Sequence, residues 1–122
     1  MVAGKKLVWV VDDEQSILAA VKERLESNDF NAATFTTAED AVKALSRGEN
    51  LPALIITDND TRSAMTGMDV IQSAVYKKIP IIIQALNDIS TKVQSSGAYG
   101  FVPKTGDYRA LMIMVNQAIG GK

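Results

Sequence analysis

The chain has 122 residues, with 13 Lys or Arg against 14 Asp or Glu, and its formal net charge is -1. This length suits one domain, and a hydrophobic fraction of 47% is enough for a buried core. Because the chain has neither Cys nor His, disulfides, thiolate or imidazole metal sites and Ser-His-Asp triads are excluded. The near-zero charge argues against nucleic acid as the main partner. Any chemistry must therefore come from carboxylates, Lys, Arg, hydroxyl groups or a bound metal.

Near the N-terminus, the apolar run 7–11 is too short for a signal peptide or a membrane span, and acidic residues follow it at once. We therefore expect a cytoplasmic protein without a membrane partner. Further apolar runs of strand length follow along the chain, and several of them are continuously apolar. Such runs are typical of strands that are buried on both faces of a parallel sheet. The predicted strands are 7–11, 31–35, 54–57, 79–83 and 99–102.

Segments with a helical pattern lie between these runs. The first has apolar residues at every fourth position, and the second starts at a capping-box-like stretch, 37–40, and stops at Gly48. A third helix ends before Pro80, and Asp107 can cap a last helix over 108–119. Between the fourth and fifth strands only Ile89 and Val93 form an apolar pair, so a short or irregular helix is expected there. Alternating strands and helices predict an α/β fold with a five-stranded parallel sheet.

Acidic residues follow two strands that can be neighbours in such a sheet. Asp12 and Asp13 follow the first strand, Asp58 and Asp60 follow the third, and Lys104 follows the fifth. In parallel sheets these carboxyl ends meet at one edge, where ligands bind. Clustered carboxylates repel one another unless a cation is bound, and oxygen ligands suit Mg²⁺. Each acid alone is more simply explained as a cap or turn residue, whereas the whole set favours a site.

Four stretches in this order resemble the receiver domain of bacterial two-component response regulators. They are 10–14 (Val-Val-Asp-Asp-Glu), 54–58 (Leu-Ile-Ile-Thr-Asp), 65–69 (Met-Thr-Gly-Met-Asp) and 97–104 (Gly-Ala-Tyr-Gly-Phe-Val-Pro-Lys). The resemblance covers nearly the whole chain. It implies a flavodoxin-like, doubly wound (βα)5 fold, with residues 1–122 forming a single receiver domain and no output domain. It also implies signalling by protein–protein contact in a phosphorelay.

The resemblance also assigns roles to residues. Asp58 would accept a phosphoryl group from a histidine kinase or a histidine phosphotransfer protein, and Lys104 would pair with that group. Asp12, Asp13, Asp58 and the backbone carbonyl of Asp60 would hold Mg²⁺ or Mn²⁺. A downstream protein would read the phosphorylated form, and a homodimer through the fourth helix, fifth strand and fifth helix is a further expectation.

The sequence departs from the family pattern at several positions. The loop after Asp58 is longer by about four residues, and Arg62 in this loop could contact a phosphoryl oxygen, although a solvated charge is the simpler interpretation. The family's Ser or Thr after the fourth strand is replaced by Gln84 or Ala85, depending on the alignment. Phe101 occupies the aromatic switch position and lacks a hydroxyl. The acceptor chemistry is therefore predicted to be intact, whereas the usual conformational relay is not.

These departures leave two other hypotheses open. One is a degenerate receiver that binds proteins whether or not Asp58 is phosphorylated. The other is an enzyme, because Asp58-Asn-Asp60-Thr resembles part of the Asp-x-Asp-x-Thr motif of haloacid-dehalogenase-like phosphohydrolases. Arg62 does not fit that motif, and the acidic pair precedes it, so the enzyme hypothesis is disfavoured.

Overall fold

The apolar runs of the chain form the strands of one parallel sheet. The computed structural model describes residues 4–48, 50–58, 67–86, 96–104 and 107–120. Within these residues the strand order is β2-β1-β3-β4-β5, so the chain crosses from one side of β1 to the other after β2. The strands are β1 (Leu7–Val11), β2 (Asn31–Phe35), β3 (Leu54–Asp58), β4 (Ile81–Ala85) and β5 (Gly100–Pro103). The predicted five-stranded parallel sheet is thus confirmed.

Four described helices cover the two faces of the sheet. They are α1 (Gln15–Ser27), α2 (Ala38–Arg47), α3 (Gly67–Tyr76) and α4 (Arg109–Gly120), the last helix of the chain. The short or irregular helix expected before β5 falls almost entirely on residues 87–95, which lie outside the described residues. No helix in the described ranges is long and apolar enough to cross a membrane.

Alternating side chains divide the core into two layers. Successive residues of a strand point to opposite faces, so every buried strand contributes to both layers. One layer packs strand residues such as Trp9, Ile55 and Ile83 against α2 and α3. The other packs Val10 and Ile56 against α1 and α4. This double covering explains why the strands read as continuous apolar runs, and it is the doubly wound arrangement that was predicted.

Local signals for the helices also hold in the structure. Thr37 is the N-cap of α2, and its hydroxyl accepts a hydrogen bond of 3.1 Å from the backbone N–H of Asp40. The helix ends at Gly48, whose φ of 71° is the left-handed conformation that glycine adopts without a Cβ clash. At the start of α4, the Asp107 carboxylate accepts from the N–H of Arg109 at 3.1 Å. Both ends of α2 and the start of α4 therefore follow from their capping residues.

Candidate functional site

Two acids and a lysine meet at the carboxyl ends of β1, β3 and β5. The Lys104 ammonium lies 3.1 Å from Oδ2 of Asp12 and 3.1 Å from Oδ2 of Asp58. Asp12 is fully buried, Asp58 is 6% exposed, and the Lys104 side chain is 11% exposed. The sheet order brings β1 and β3 side by side, and this explains why acids that are 46 positions apart in sequence share one cation. The predicted convergence of Asp12, Asp58 and Lys104 is therefore present in the structure.

The pKa directions in this group follow from burial and charge. Burial raises the pKa of Asp12, although a hydrogen bond of 2.9 Å from the Glu14 N–H to Oδ1 and the nearby Lys104 oppose this. Burial alone would lower the pKa of Lys104, but its contacts with Asp12 and Asp58 outweigh this, and its pKa is raised. Lys104 therefore remains a cation between two carboxylates.

Asp13 completes a set of oxygen ligands. Carboxylate oxygens of Asp12, Asp13 and Asp58 all lie within 4.8 Å of one another. Oδ2 of Asp12 is buried and receives no well-directed hydrogen bond from the residues that the structure describes, even though the Lys104 ammonium is near it. Three hard oxygen donors with an incompletely satisfied buried acceptor suit Mg²⁺ or Mn²⁺. The residues present thus fit the predicted metal.

Glu14 also lies in this neighbourhood, although no role was predicted for it from the sequence. Its Oε1 lies 3.5 Å from the Lys104 ammonium, and its side chain is 53% exposed. Glu14 is also the N-cap of α1, without a side-chain cap hydrogen bond. Its position directly after the acidic pair was the available signal, because a residue that begins a helix beside a strand end faces the same edge. Its exposed carboxylate adds negative charge at the mouth of the site.

The two switch candidates occupy different faces of β4. Gln84 is in register with Asp58 on β3 and with Val102 on β5, and it is 1% exposed. Its Oε1 is buried and has no hydrogen-bond partner in the described part of the chain. Ala85 points to the opposite face, is 3% exposed, and its carbonyl accepts from the N–H of Lys104 at 2.9 Å. The side chain of Gln84 therefore shares a face with Asp58, whereas that of Ala85 does not.

Of the other three predicted site residues, only Phe101 is among the residues that the structure describes. Phe101 lies on β5, is partly buried, and packs against the layer that faces α2 and α3. Asp60, the predicted carbonyl ligand, and Arg62, the predicted phosphoryl contact, belong to 59–66, which lies outside the described residues.

Comparisons with known proteins identify the family. The model of the response regulator receiver domain family matches residues 8–116, and the chain therefore belongs to that family. It is 28% identical over 123 residues to the DNA-binding transcriptional regulator NtrC of Escherichia coli (strain K12), and 26% identical over 117 residues to NtrC of Proteus hauseri. These alignments cover 93% and 92% of this chain but 24% of each relative. The chain thus spans about a quarter of the length of these curated relatives.

Solved structures agree with this assignment. A response regulator receiver protein from Pseudomonas putida is 27% identical, with a TM-score of 0.80 over 95% of this chain and 99% of that one. A receiver protein from Sinorhizobium medicae WSM419 has a TM-score of 0.86 at 18% identity and 98% coverage of both chains, which shows the fold alone. The predicted receiver family and flavodoxin-like fold are confirmed. Phosphorelay signalling is consistent with this membership.

Proposed function

We propose that this chain is a phosphoryl-accepting receiver that takes a phosphoryl group on Asp58 from a phosphohistidine donor in a Mg²⁺-dependent reaction. The observation that carries the proposal is the Lys104 ammonium, 3.1 Å from both buried carboxylates, Asp12 and Asp58. A lysine placed between a nucleophilic carboxylate and an acidic pocket can pair with the oxygens of an incoming phosphoryl group. The donors would be a histidine kinase or a histidine phosphotransfer protein.

The chemistry requires one bond to form and one to break. An Oδ atom of Asp58 attacks phosphorus, the P–N bond to the donor imidazole breaks, and the imidazole leaves with its electron pair and is protonated. Lys104 stabilises the negative charge of the transferred group, and the resulting acyl phosphate is cleaved later by water. Asp12, Asp13, Asp58 and the Asp60 carbonyl would hold the metal, which supplies charge neutralisation when bound. Arg62 is proposed as an additional phosphoryl contact.

Output would run through protein contacts of this receiver domain. Gln84, Ala85 and Phe101 are the proposed switch positions, and they lack the hydroxyl groups that the family uses. A homodimer through α4, β5 and the segment before β5 is a further proposal. It is supported by Ile113, which is 60% exposed on α4. The downstream partner is a protein rather than nucleic acid.

Incubation with acetyl phosphate and Mg²⁺ tests the acceptor reaction. Intact-mass measurement is expected to show one phosphoryl adduct on the wild type and none on Asp58→Asn. Asp40→Asn, which changes an exposed acid on α2, is the matched control and should be phosphorylated like the wild type. EDTA should abolish the adduct. Wild-type protein that gains no phosphoryl group would contradict the proposal.

The second candidate is a degenerate receiver that binds its partner independently of phosphorylation. Gln84 favours it, because the β4 position that shares a face with Asp58 carries a carboxamide in place of the hydroxyl group that the family uses. The discriminating measurement is the NMR amide spectrum with Mg²⁺ and beryllofluoride. Shifts that remain beside Asp58 favour the second candidate, whereas shifts that extend along β5 and α4 favour phosphorylation-dependent output.

A further inference from the structure

Lys104 reaches its partners only by crossing β4. It follows β5, whereas Asp58 belongs to β3, and β4 lies between these two strands. Two interstrand spacings amount to about 9.6 Å, yet the ammonium lies 3.1 Å from the Asp58 carboxylate. The aliphatic part of Lys104 must therefore run across the carboxyl end of β4, close to the residues that end that strand.

Gln84 is the side chain on β4 that faces this crossing. The N–H of Lys104 donates to the Ala85 carbonyl, so Lys104 continues the ladder of β5 and points to the same face as Val102. Val102 is in register with Gln84, and Gln84 is in register with Asp58. The side chains of Asp58, Gln84 and Lys104 therefore share one face of the sheet, with Gln84 in the middle.

The carboxamide of Gln84 is an unusual group for this place. Gln84 is 1% exposed, and its Oε1 has no hydrogen-bond partner among the described residues. Its neighbour on the same face of β4, Ile82, is fully buried in the apolar layer against α1 and α4. An unsatisfied buried acceptor destabilises a fold, whereas an apolar side chain of similar size would not. A role in another state of the site would explain why a polar group is found there.

We infer that Gln84 is a positioning residue for Lys104, and this inference rests on the proposed phosphoryl-accepting function. The Lys104 ammonium carries three N–H donors and now faces the carboxylates of Asp12 and Asp58. If Asp12 held Mg²⁺, its coordinating oxygens could no longer accept hydrogen bonds from Lys104. The Gln84 Oε1 then accepts a hydrogen bond from the ammonium and holds it beside Asp58. Because Oε1 is neutral, it does so without adding a negative charge that would repel a phosphoryl group.

Gln84→Met tests this role, because Met keeps the length of the side chain and removes the acceptor. Ile82→Met is the matched control on the same strand and face. The first measurement is the rate at which the Lys104 ammonium exchanges its protons with water, followed by ¹⁵N NMR in the presence of Mg²⁺ alone. The ammonium signal is assigned by its loss in Lys104→Arg. The second is the rate of adduct formation with acetyl phosphate and Mg²⁺, and urea unfolding verifies the fold of each variant.

We expect Gln84→Met to be at least as stable as the wild type, because it removes an unsatisfied buried acceptor. Its Lys104 ammonium should exchange faster and its adduct should form more slowly, each by roughly tenfold, which is the order expected for one hydrogen bond to a charged group. Ile82→Met should leave both rates unchanged.

The inference would be overturned if the proton-exchange rate of the Lys104 ammonium were the same in Gln84→Met and in the wild type. It would also be overturned if the exchange rate changed but the rate of adduct formation did not. Failure of the proposed function gives a different result, because the wild type then forms no adduct at all. In that case the exchange measurement, which needs only Mg²⁺, still decides whether Gln84 holds Lys104.

Discussion

At the scale of single residues, the site depends on the balance between one cation and several buried acids. Lys104 is the cation within hydrogen-bond distance of both Asp12 and Asp58 in the described part of the chain. Charges that are removed from water destabilise a fold unless they are paired. The same ammonium therefore has a structural task in the fold, in addition to the phosphoryl contact proposed for it.

Replacing Lys104 by Met should reveal the structural task. Without metal, the variant leaves the carboxylates of Asp12 and Asp58 facing each other, and breaking such a buried pair costs about 3–5 kcal/mol of unfolding free energy. With saturating Mg²⁺ the loss should be smaller, because the cation supplies the missing charge. Urea unfolding with and without Mg²⁺ measures both values. Lys43→Met, on the exposed side of α2, is the control, and equal stability of the two variants would contradict the prediction.

The residue types of the site could be predicted from the sequence, but their pairing geometry could not. Position after a strand was enough to bring together Asp12, Asp13, Asp58 and Lys104, because parallel strands end at one edge. The environment of Gln84 was not visible, since it depends on register with β3 and β5 and on cover from α1 and α4. Parallel strands are joined by long crossovers, so no tight turn fixes their register, and it depends on which faces of the strands are buried together.

At the scale of elements, capping residues define where helices begin. The hydroxyl of Thr37 accepts a hydrogen bond from an N–H that has no partner within α2, and Gly48 ends the helix in a left-handed conformation. Both signals are local, and for this reason the bounds of α2 could be predicted well.

The Thr37 cap can be tested by two substitutions that differ in one group. Thr37→Ala removes the hydroxyl and should lower the free energy of unfolding by about 1 kcal/mol, the usual value for an N-cap. Thr37→Ser keeps the oxygen and should stay close to the wild type. Urea unfolding of the three proteins measures the difference. A Ser variant as unstable as the Ala variant would show that the methyl group of Thr37, and not its oxygen, is responsible.

The start of α4 offers a pH-dependent test. The exposed Asp107 carboxylate accepts hydrogen bonds from the Arg109 side chain and N–H, and these contacts lower its pKa from 3.8 to about 2. Because the pKa of the folded state is the lower one, the stabilising contribution is present above about pH 4 and is lost as pH falls through about 2.

Asp107→Asn isolates the charge, because Asn keeps an oxygen that can accept from the Arg109 N–H. The variant should unfold at slightly lower urea concentration than the wild type at neutral pH. This small difference should shrink between about pH 4 and about pH 2, where the wild-type carboxylate is protonated. A difference that does not vary with pH would show that the charge of Asp107 is unimportant.

The ends of the last two strands were predicted less accurately than those of the first two. The fourth strand was expected over 79–83 but spans Ile81–Ala85, and the fifth is likewise shifted by one residue. Ile79 precedes the strand, because its N–H donates to the Ala74 carbonyl near the end of α3. It is apolar because its side chain packs into the core. Hydrophobicity alone does not distinguish a strand residue from a buried residue in the preceding turn.

At the scale of the whole molecule, metal binding should stabilise the fold through its acidic site. A ligand that binds only the folded state at one hundred times its dissociation constant adds about 2.7 kcal/mol to the free energy of unfolding. Mg²⁺ should therefore raise the melting temperature of the wild type, and should raise that of Asp12→Asn less at the same concentration. Asp40→Asn is the control that should respond like the wild type. Equal shifts in all three proteins would place Mg²⁺ elsewhere.

Self-association through the last helix can be measured directly. Leu111, Met112 and Val115 of α4 are buried in the core, whereas Ile113 is 60% exposed. Ile113→Glu should therefore remove any concentration-dependent dimer in sedimentation experiments without unfolding the chain. Gln117→Glu, also exposed on α4, is the charge-matched control. A wild type that stays monomeric at all concentrations would refute the proposed homodimer.

The last strand, β5, ends in a proline that affects the tendency of the chain to aggregate. β5 is an outer strand of the sheet, and an unpaired outer strand can template the addition of strands from other molecules. The N–H of Lys104 points toward β4, and backbone N–H directions alternate along a strand, so position 103 faces away from the sheet. Proline at that position has no N–H to offer. Pro103 therefore helps to protect this border of the sheet against aggregation.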